Sequence, residues 1–240
     1  MDRGLYVAAG GMLAEMDRQN NLSNNLANLN TPGYKTDYTE QYGFANLLWN
    51  NRSTGAQIGT WQVGPVVQGK TSLTQGSLQV TGNKYDLGIE GDGFFQVRTP
   101  QGIRFTRNGA FTVNNQGQLA TPENFTVLGR DGQPIKVGGA NKFQINTNGD
   151  VIRDGVLVGT IALVNVNNPQ KVDGSLWSGQ AAGVSAGTLV RQGQLENSNT
   201  DPIKTITDMT VSQRAFDAGQ RVLRTIDDTL AVAAKIAQIN

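Results

Sequence analysis

The chain contains no cysteine and no histidine. Lacking cysteine, it has no disulfide and no thiolate metal site. Lacking histidine as well, it has no Ser-His-Asp or Cys-His nucleophile system and none of the usual zinc sites. Charge is sparse and balanced: 16% of the 240 residues are charged, 20 basic against 19 acidic, for a net charge of +1. That balance gives no electrostatic capture of nucleic acid or of an anionic membrane, and no basic run is interleaved with aromatics. No stretch approaches the ~20 apolar residues of a membrane span. The N-terminus carries Asp2, Arg3, Glu15, Asp17 and Arg18 and no continuous apolar core, so it does not read as a cleavable signal peptide. Gly88, Gly91 and Gly93 lack dinucleotide-binding spacing. Glu90 and Asp92 read as turn and strand-edge residues beside glycines rather than as a glycosidase pair. Asp131, Asp150 and Asp154 do not have calcium-loop spacing. No cofactor, no metal and no small-molecule substrate is expected.

What the chain does have is a long helical pattern at each end. At the C-terminal end, Ile203, Ile206, Met209, Phe216, Leu223, Ile226, Leu230, Ala233 and Ala237 recur at steps of three, four or seven, the spacing of one helical stripe. Asp201 before Pro202 predicts an N-cap with proline in the first turn. Asp217 and Arg221 are spaced for an i,i+4 pair. The stripe is interrupted at Gln213 and at Gly219-Gln220. A helix over Pro202–Ile239 spans roughly 50–55 Å at 1.5 Å per residue. At the N-terminal end, Leu5, Ala8, Met12, Met16, Leu22, Leu26 and Leu29 form a similar stripe over Asp2–Leu29, stopped by Asn30-Thr31-Pro32-Gly33. Gly10-Gly11 inside it costs about 1 kcal/mol per glycine relative to alanine, and is usable where a neighbour approaches closely. Isolated helices are marginal in water. Neither terminus is therefore expected to fold stably without a partner surface, supplied by the other helix or by other copies of the chain.

Between the ends the pattern is β. The 30 glycines and 38% hydrophobic residues fit one sizeable core, or a core plus an extended part. Tyr34 to Asn50, rich in aromatics, reads as a short helix or an extended arm; Asn51 to Gln57 as a polar loop; Ile58 to Leu78 as strands. Leu87, Ile89, Phe95 and Val97 alternate with small or polar residues, as in strands with one buried face. Asn108-Gly109, between Ile103–Arg107 and Ala110–Val113, predicts a two-residue hairpin turn. Asn115-Gln116-Gly117, Asp131-Gly132, Asn148-Gly149 and Asp154-Gly155 supply further turns. More strands are expected at Phe125–Leu128, Lys142–Ile145, Val151–Arg153 and Val156–Val166. Gln75-Gly76-Ser77-Leu78 is echoed by Gln192-Gly193-Gln194-Leu195, which points to two matching strands where the chain leaves and re-enters the axis of the molecule. The expected fold class is α+β: two long terminal α-helices forming a coiled-coil core region, with a central mainly-β domain. The expected division is an N-terminal axial helix at 1–34, an arm with extended strands at 35–80, a central β-domain at 81–185, a return strand at 186–200 and a C-terminal axial helix at 201–240.

Five stretches, in order along the chain, carry a resemblance. Asn24-Asn25-Leu26-Ala27-Asn28-Leu29-Asn30-Thr31-Pro32-Gly33-Tyr34-Lys35 resembles the N-terminal signature of the bacterial flagellar axial proteins, the rod and hook family. Asp86 to Val97 resembles that family's central Asp-Leu-x-Ile-x-Gly-x-Gly-Phe-Phe-x-Val, and Phe105 to Leu119 the motif that follows. Gln192 to Asn199 and Gln213-Arg214-Ala215-Phe216 resemble the C-terminal signature. Thr200 stands where that pattern prefers an apolar residue. The size resembles rod subunits more than hook protein. Met1 to Tyr6 is similar to the proximal-rod type and Ile89–Phe95 to the distal-rod type. The resemblance implies a non-enzymatic structural subunit of the basal-body rod, in the periplasm or cell wall, exported by the flagellar type III apparatus without signal cleavage. It implies self-association into a hollow helical drive shaft with a coiled-coil inner core, alongside other rod and hook proteins, with the β-domain outside. The residues that would assemble are Leu5, Met12, Met16, Leu22, Leu26 and Leu29 of the first helix, and Ile206, Met209, Phe216, Leu223, Ile226 and Leu230 of the last.

Three other readings compete. A carbohydrate- or peptidoglycan-binding β-module needs an exposed aromatic platform, for which Trp61 and Trp177 are the candidates; it leaves the two terminal helices unexplained. A peptidoglycan hydrolase needs a catalytic acid, and the sequence offers only Glu90 and Asp92. A cap or regulatory protein of the same export system would bind a rod end without forming its body.

Overall fold

The computed structural model describes residues 2–42, 66–138, 143–184 and 187–237. The aromatic-rich stretch after Tyr42, the polar loop at Asn51 to Gln57, Trp61 and the first residues of the Ile58–Leu78 run lie outside the described residues. Two compact units form. The first comprises residues 1–27, 37–72 and 201–240, and the second 28–36 and 73–200.

In the first unit, α1 runs over Asp2–Ala27 and α2 over Pro202–Ala237. Helix α1 thus stops two residues before the expected Leu29, in a turn closed by Thr31 N donating to Asn28 O. The cap of α2 is as the sequence predicts: Asp201 Oδ1 accepts from Ile203 N (2.9 Å) and Lys204 N (3.1 Å). Asp217 Oδ1 accepts one turn back, from Gln213 Nε2 (3.3 Å), rather than from Arg221. The partner surface that each helix needs is the other helix. Ser212 Oγ donates to Glu15 Oε2 at 2.6 Å, Met12 lies against Gly219, and Arg18 faces Asp208 at 3.8 Å. Rising numbers on α1 meet falling numbers on α2, so the pair is antiparallel. A close approach is made at Gly219, read from sequence as a break in the stripe. A Cβ there would stand 2.7 Å from Met12 Cγ, whereas nothing lies within 4 Å of the same point at Gly11. Strand β1 (Asp37–Tyr42) pairs antiparallel with β2 (Val66–Thr71), and Asn25 ties α1 to the start of β1 by bonds to Asp37 O (2.6 Å) and from Asp37 N (2.9 Å).

The second unit is all β. Its strands are β3 (Leu78–Val80), β4 (Leu87–Glu90), β5 (Phe94–Thr99), β6 (Gly102–Thr106), β7 (Thr112–Val113), β8 (Leu119–Ala120), β9 (Thr126–Val127), β10 (Phe143–Ile145), β11 (Asp150–Arg153), β12 (Val156–Thr160), β13 (Leu163–Asp173), β14 (Leu176–Val184), β15 (Leu189–Gln192) and β16 (Gln194–Glu196). Successive strand residues face opposite sides, so the Phe94-Phe95 doublet feeds two cores. Phe95 joins Leu87, Ile89, Val97, Phe111, Leu119, Val127, Ile161 and Val190 in the larger one. Phe94 joins Phe105 and Trp177 in a smaller one, with Val164 and Val166 against it. Strands β13, β14, β6 and β5 close on themselves, because β13 pairs both β14 and β5 (Leu163↔Phe95, Val164↔Phe94), and every residue of the smaller core belongs to one of these four strands. Trp177 is 1% exposed, which removes it as a carbohydrate platform.

Two expectations from the sequence do not hold in the fold. Asn108-Gly109 does not turn a hairpin, since β6 pairs β5 and β14 while β7 pairs β8. Asn108 Oδ1 accepts from Ala110 N (3.0 Å) and redirects the chain beside Leu87, whose N donates to Gly109 O (3.0 Å); a Cβ at 109 would collide with the Leu87 carbonyl. The two-residue turn with both φ positive is Asp154-Gly155 (49° and 84°), between β11 and β12. The single strand expected over Val156–Val166 breaks at Ile161, which sinks into the larger core, and β13 then runs on to Asp173 in a different sheet. The 75–78/192–195 echo overlaps a strand pair only in part: β3 and β16 pair antiparallel, with Leu195 opposite Gln79 and Glu196 opposite Leu78, so no residue of one echo faces its counterpart in the other.

The Phe95 ring is fully buried and stands edge-on to Phe111 at 5.1 Å. Phe95→Ala is expected to cost about 3–5 kcal/mol, read as a lowered urea midpoint. Val156→Ala, at a position 67% exposed, is expected to stay within about 0.5 kcal/mol of the parent.

Candidate functional site

Among the described residues the two acids weighed from the sequence, Glu90 and Asp92, are not brought together with other catalytic groups. Among the described residues no group of three or more His, Cys, Asp or Glu side chains could hold a metal, and no helix is long and apolar enough to cross a membrane. Glu90 pairs with Arg191 (2.6 Å) on the paired strands β4 and β15, and the Asp92 carbonyl accepts from Thr188 Oγ1. The Glu90 carboxylate is thus held by Arg191, and of Asp92 it is the main-chain carbonyl that anchors Thr188. The candidate function rests on two other features, the helix pair and a buried ionic node.

The stripes named from the sequence fall differently on the two helices. Leu5, Met12, Leu22 and Leu26 are half-buried, as is Leu29 just beyond α1, and Met16 is exposed. On α2, Phe216, Leu223, Ile226 and Leu230 are half-buried and share a row with Ser212 and Gly219, the positions that touch Glu15 and Met12. That row steps 4, 3, 4, 3, 4 from 212 to 230, a heptad seam. Ile206 and Met209 are exposed. A second row lies one residue back: Val211, Ala215, Ala218, Val222, Thr225, Thr229 and Val232. It steps 4, 3, 4, 3, 4, 3, and all seven positions are exposed. Thr225 and Thr229 donate their hydroxyls to Arg221 O (2.9 Å) and Ile226 O (2.7 Å), so neither carries an unmet donor onto that face. Sequence reading missed this row, because small and β-branched residues do not stand out beside Phe and Leu.

The motif residues Asn24 to Tyr34 lead to the node. Asn24 and Ala27 are exposed, Asn25 is buried on Asp37, and Asn28 and Thr31 bond each other (3.0 Å) in the turn after α1. Gly33 has φ 68°, and a Cβ there would strike the Arg107 backbone, so only glycine fits; its N donates to Glu196 O (2.7 Å). Tyr34 is buried, with Lys171 Nζ 3.7 Å from its ring centre. Next comes Lys35, 1% exposed, its Nζ on Glu196 Oε1 (2.6 Å) and on Thr74 O (2.7 Å). Glu196 is equally buried, and its second oxygen takes Arg107 Nη1 at 3.1 Å. Oε1 also accepts from Gly76 N (2.9 Å). Arg107 Nη2 reaches Gly91 O (2.9 Å), and the guanidinium lies over the Phe94 ring at 5.4 Å. Burial drives Lys35 below the ordinary 10.5, only partly opposed by Glu196 beside it and reinforced by the Arg107 charge. Thr200, the departure from the family pattern, has its hydroxyl 2.7 Å from that of Thr36. Lys35, Arg107 and Glu196 were not singled out from sequence. The available signal was a single charged residue inside each of three otherwise uncharged motifs in a chain poor in charge.

Each of those three charges comes from a different matched segment. The family model described as "Flagella basal body rod protein" matches residues 5–35. "Flagellar hook protein FlgE/F/G D1 domain" matches 88–153, and "Flagellar basal body rod FlgEFG protein C-terminal" matches 191–236. The flagellar basal-body rod protein FlgG of Bacillus subtilis (strain 168) is 30% identical, over 96% of this chain and 97% of the relative. The chain belongs to the flagellar basal-body rod protein family. Another member similar to it is FlgF of Rhizobium meliloti (strain 1021), 30% identical over 96% of this chain and 95% of the relative. The flagellar hook-basal body complex protein FlhO of Bacillus subtilis is 32% identical over 98% of each. As a member of that family, the chain has its three matched segments meeting at one carboxylate.

Two cations share one buried anion, so the three charges are not equivalent. Lys35→Met leaves a balanced Glu196–Arg107 pair, whereas Glu196→Gln leaves two buried cations on a neutral amide. Losing one partner of a buried pair costs about 3–5 kcal/mol. Glu196→Gln is expected at or above the top of that range and Lys35→Met below it, measured by urea unfolding; equal effects would mean that charge balance does not govern the node. Because Lys35 titrates lower in the folded chain than in the unfolded one, the unfolded chain holds more protons in the window below 10.5. Stability from this group therefore rises with pH through that window, and the rise is expected to disappear in Lys35→Met.

Proposed function

We propose that this protein is a structural subunit of the bacterial flagellar basal-body rod. It polymerises through its terminal helices into a hollow helical shaft that passes exported subunits and transmits torque from rotor to hook. Family membership supports the rod, and the observation that carries the helix-mediated assembly is the second heptad row on α2. The first row is used up within the chain, against α1. The second repeats the same 3.5-residue period over 22 residues, and Val211, Val222 and Val232 on it are each more than half exposed. A seam of small valine, alanine and threonine side chains at that period, its two hydroxyls satisfied within the helix, fits another helix, and in a homopolymer that helix belongs to a neighbouring copy. Repetition of such a heterologous contact, with a rotation that does not close, generates an open helical array.

On this reading the protein acts mechanically and not as an enzyme. Its partners are further copies of itself, other rod and hook proteins, and the flagellar type III export apparatus that delivers it without signal cleavage. It resides in the basal body, within the periplasm or cell wall. The interface comprises the exposed row together with Met16, Ile206 and Met209. Phe216, Leu223, Ile226, Leu230, Leu5 and Met12 build the helix pair that presents it, and Leu22, Leu26 and Leu29 continue the α1 stripe.

Val222→Asp and Ala218→Asp place charge on the exposed row. Both are expected to leave the urea midpoint within about 0.5 kcal/mol of the parent and to abolish rod formation, scored by electron microscopy of basal bodies from a strain complemented with the variant. Leu223→Asp is expected to separate α1 from α2 in the monomer, seen as fast amide exchange over both helices with protection kept from Leu87 to Val137. Rods formed normally by Val222→Asp would sink the proposed seam.

A further inference from the structure

Four chain passages join the two units, after Ala27, Thr36, Ser72 and Thr200. Each is a single backbone, and a single backbone can swivel about its φ and ψ bonds. Three of the four are cross-linked to one another by side chains inside the second unit. Asn199 is the centre. Its Oδ1 accepts from Thr36 N (2.8 Å) and Thr36 Oγ1 (2.7 Å), and its Nδ2 donates to Thr74 O and Thr74 Oγ1, both at 3.0 Å. Thr36 Oγ1 also meets Thr200 Oγ1 at 2.7 Å. One residue along, Lys35 Nζ reaches the same Thr74 carbonyl, and Glu196 holds Lys35, the Gly76 amide and Arg107. The passages at Thr36, Thr74 and Asn199–Thr200 are therefore tied to each other first, and through Glu196 and Arg107 to the β-core second.

From this arrangement we propose that the Thr36–Thr74–Asn199–Thr200 cluster is a torque coupler, which makes three chain passages share load that would otherwise twist each separately. The inference rests on the rod-subunit reading and assigns the cluster a mechanical role within it. It differs from plain stabilisation in one respect. The core residues around Leu87, Phe95 and Val127 do not include this cluster, so loosening it changes local stiffness more than global stability.

The test uses the full-length chain in a strain whose own copy is deleted, with Asn199→Ala and, as the milder isosteric change, Thr36→Val. Both variants are expected to keep the parent's urea midpoint. Amide exchange at Leu73–Gly76 and Glu196–Thr200 is expected to rise about tenfold or more in Asn199→Ala, which removes four side-chain hydrogen bonds from a locally opening segment. Swimming in dilute medium is expected to match the wild-type chain, and swimming in viscous medium, where the shaft works against higher load, to be lost or sharply reduced. Wild-type speed at every viscosity despite faster local exchange would overturn the coupler. So would a fall in global midpoint that parallels the swimming defect in both variants, which would make the cluster a stability element only. Failure of the wild-type chain itself to restore swimming would instead overturn the rod-subunit reading, so the two failures are distinguishable.

Discussion

The carboxylate of Glu196 is the constraint on which the second unit depends. An ionised carboxylate buried alone is costly, and so are a buried ammonium and a buried guanidinium. Lys35, Arg107 and Glu196 are tolerated in the interior only as a set, each oxygen of Glu196 taking one cation. This requirement specifies structure where little else does. Strand β16 pairs with β3 over just three residue pairs, too few to fix register by themselves. A one-residue slip would carry Glu196 to the opposite face of the strand and leave both cations buried and unpaired. The ionic node thus decides the register of a sheet joining positions about 120 residues apart, and it does so from the stretch that leads directly to the Asp201 cap of α2.

The same node sits against the smaller of two cores. Arg107 covers the outer ring of the Phe94–Trp177 pair, whose centroids are 5.8 Å apart. Phe95, the next residue, points the other way into the larger core. A displacement at Arg107 is therefore felt by Phe94 directly and by Phe95 through the shared backbone of β5. Charge pairing and core packing meet at this doublet, and the family's central motif contains it.

Both helices, the Asp201 cap of α2 and the β-rich middle were legible in the sequence because each rests on a local rule. Periods of three and four mark α1 and α2, Asp201-Pro202 marks a start, and Asp-Gly turns mark strand ends. The misreadings share one cause, which is that a local signal has more than one tertiary use. Asn108-Gly109 has ideal hairpin chemistry, yet glycine is required there so that the chain can pass the Leu87 carbonyl. Gly219 resembles a defect in a stripe, yet it is where Met12 packs. Ile161 continues a strand-like run but is taken by the larger core. The ionic node was illegible for a different reason: Lys35, Arg107 and Glu196 are separated by 72 and 89 positions, and no periodicity links them.

The two rows on α2 differ in kind, and the difference bears on how one helix serves both folding and assembly. The row facing α1 contains Phe216, Leu223, Ile226 and Leu230, side chains large enough to hold a helix pair within one chain. The exposed row contains Val, Ala and Thr, which bury little area per residue but let another backbone come close. On the proposed rod reading, one such contact would be weak, so a single subunit would remain dispersed before it reached its place. Many such contacts repeated along the proposed array would sum to a stiff interface, because each added copy would be held by several neighbours at once. A large-residue stripe on the outside would favour premature association, and a polar one would favour none. Small apolar residues at strict heptad spacing, with their threonine hydroxyls already satisfied within the helix, answer both requirements.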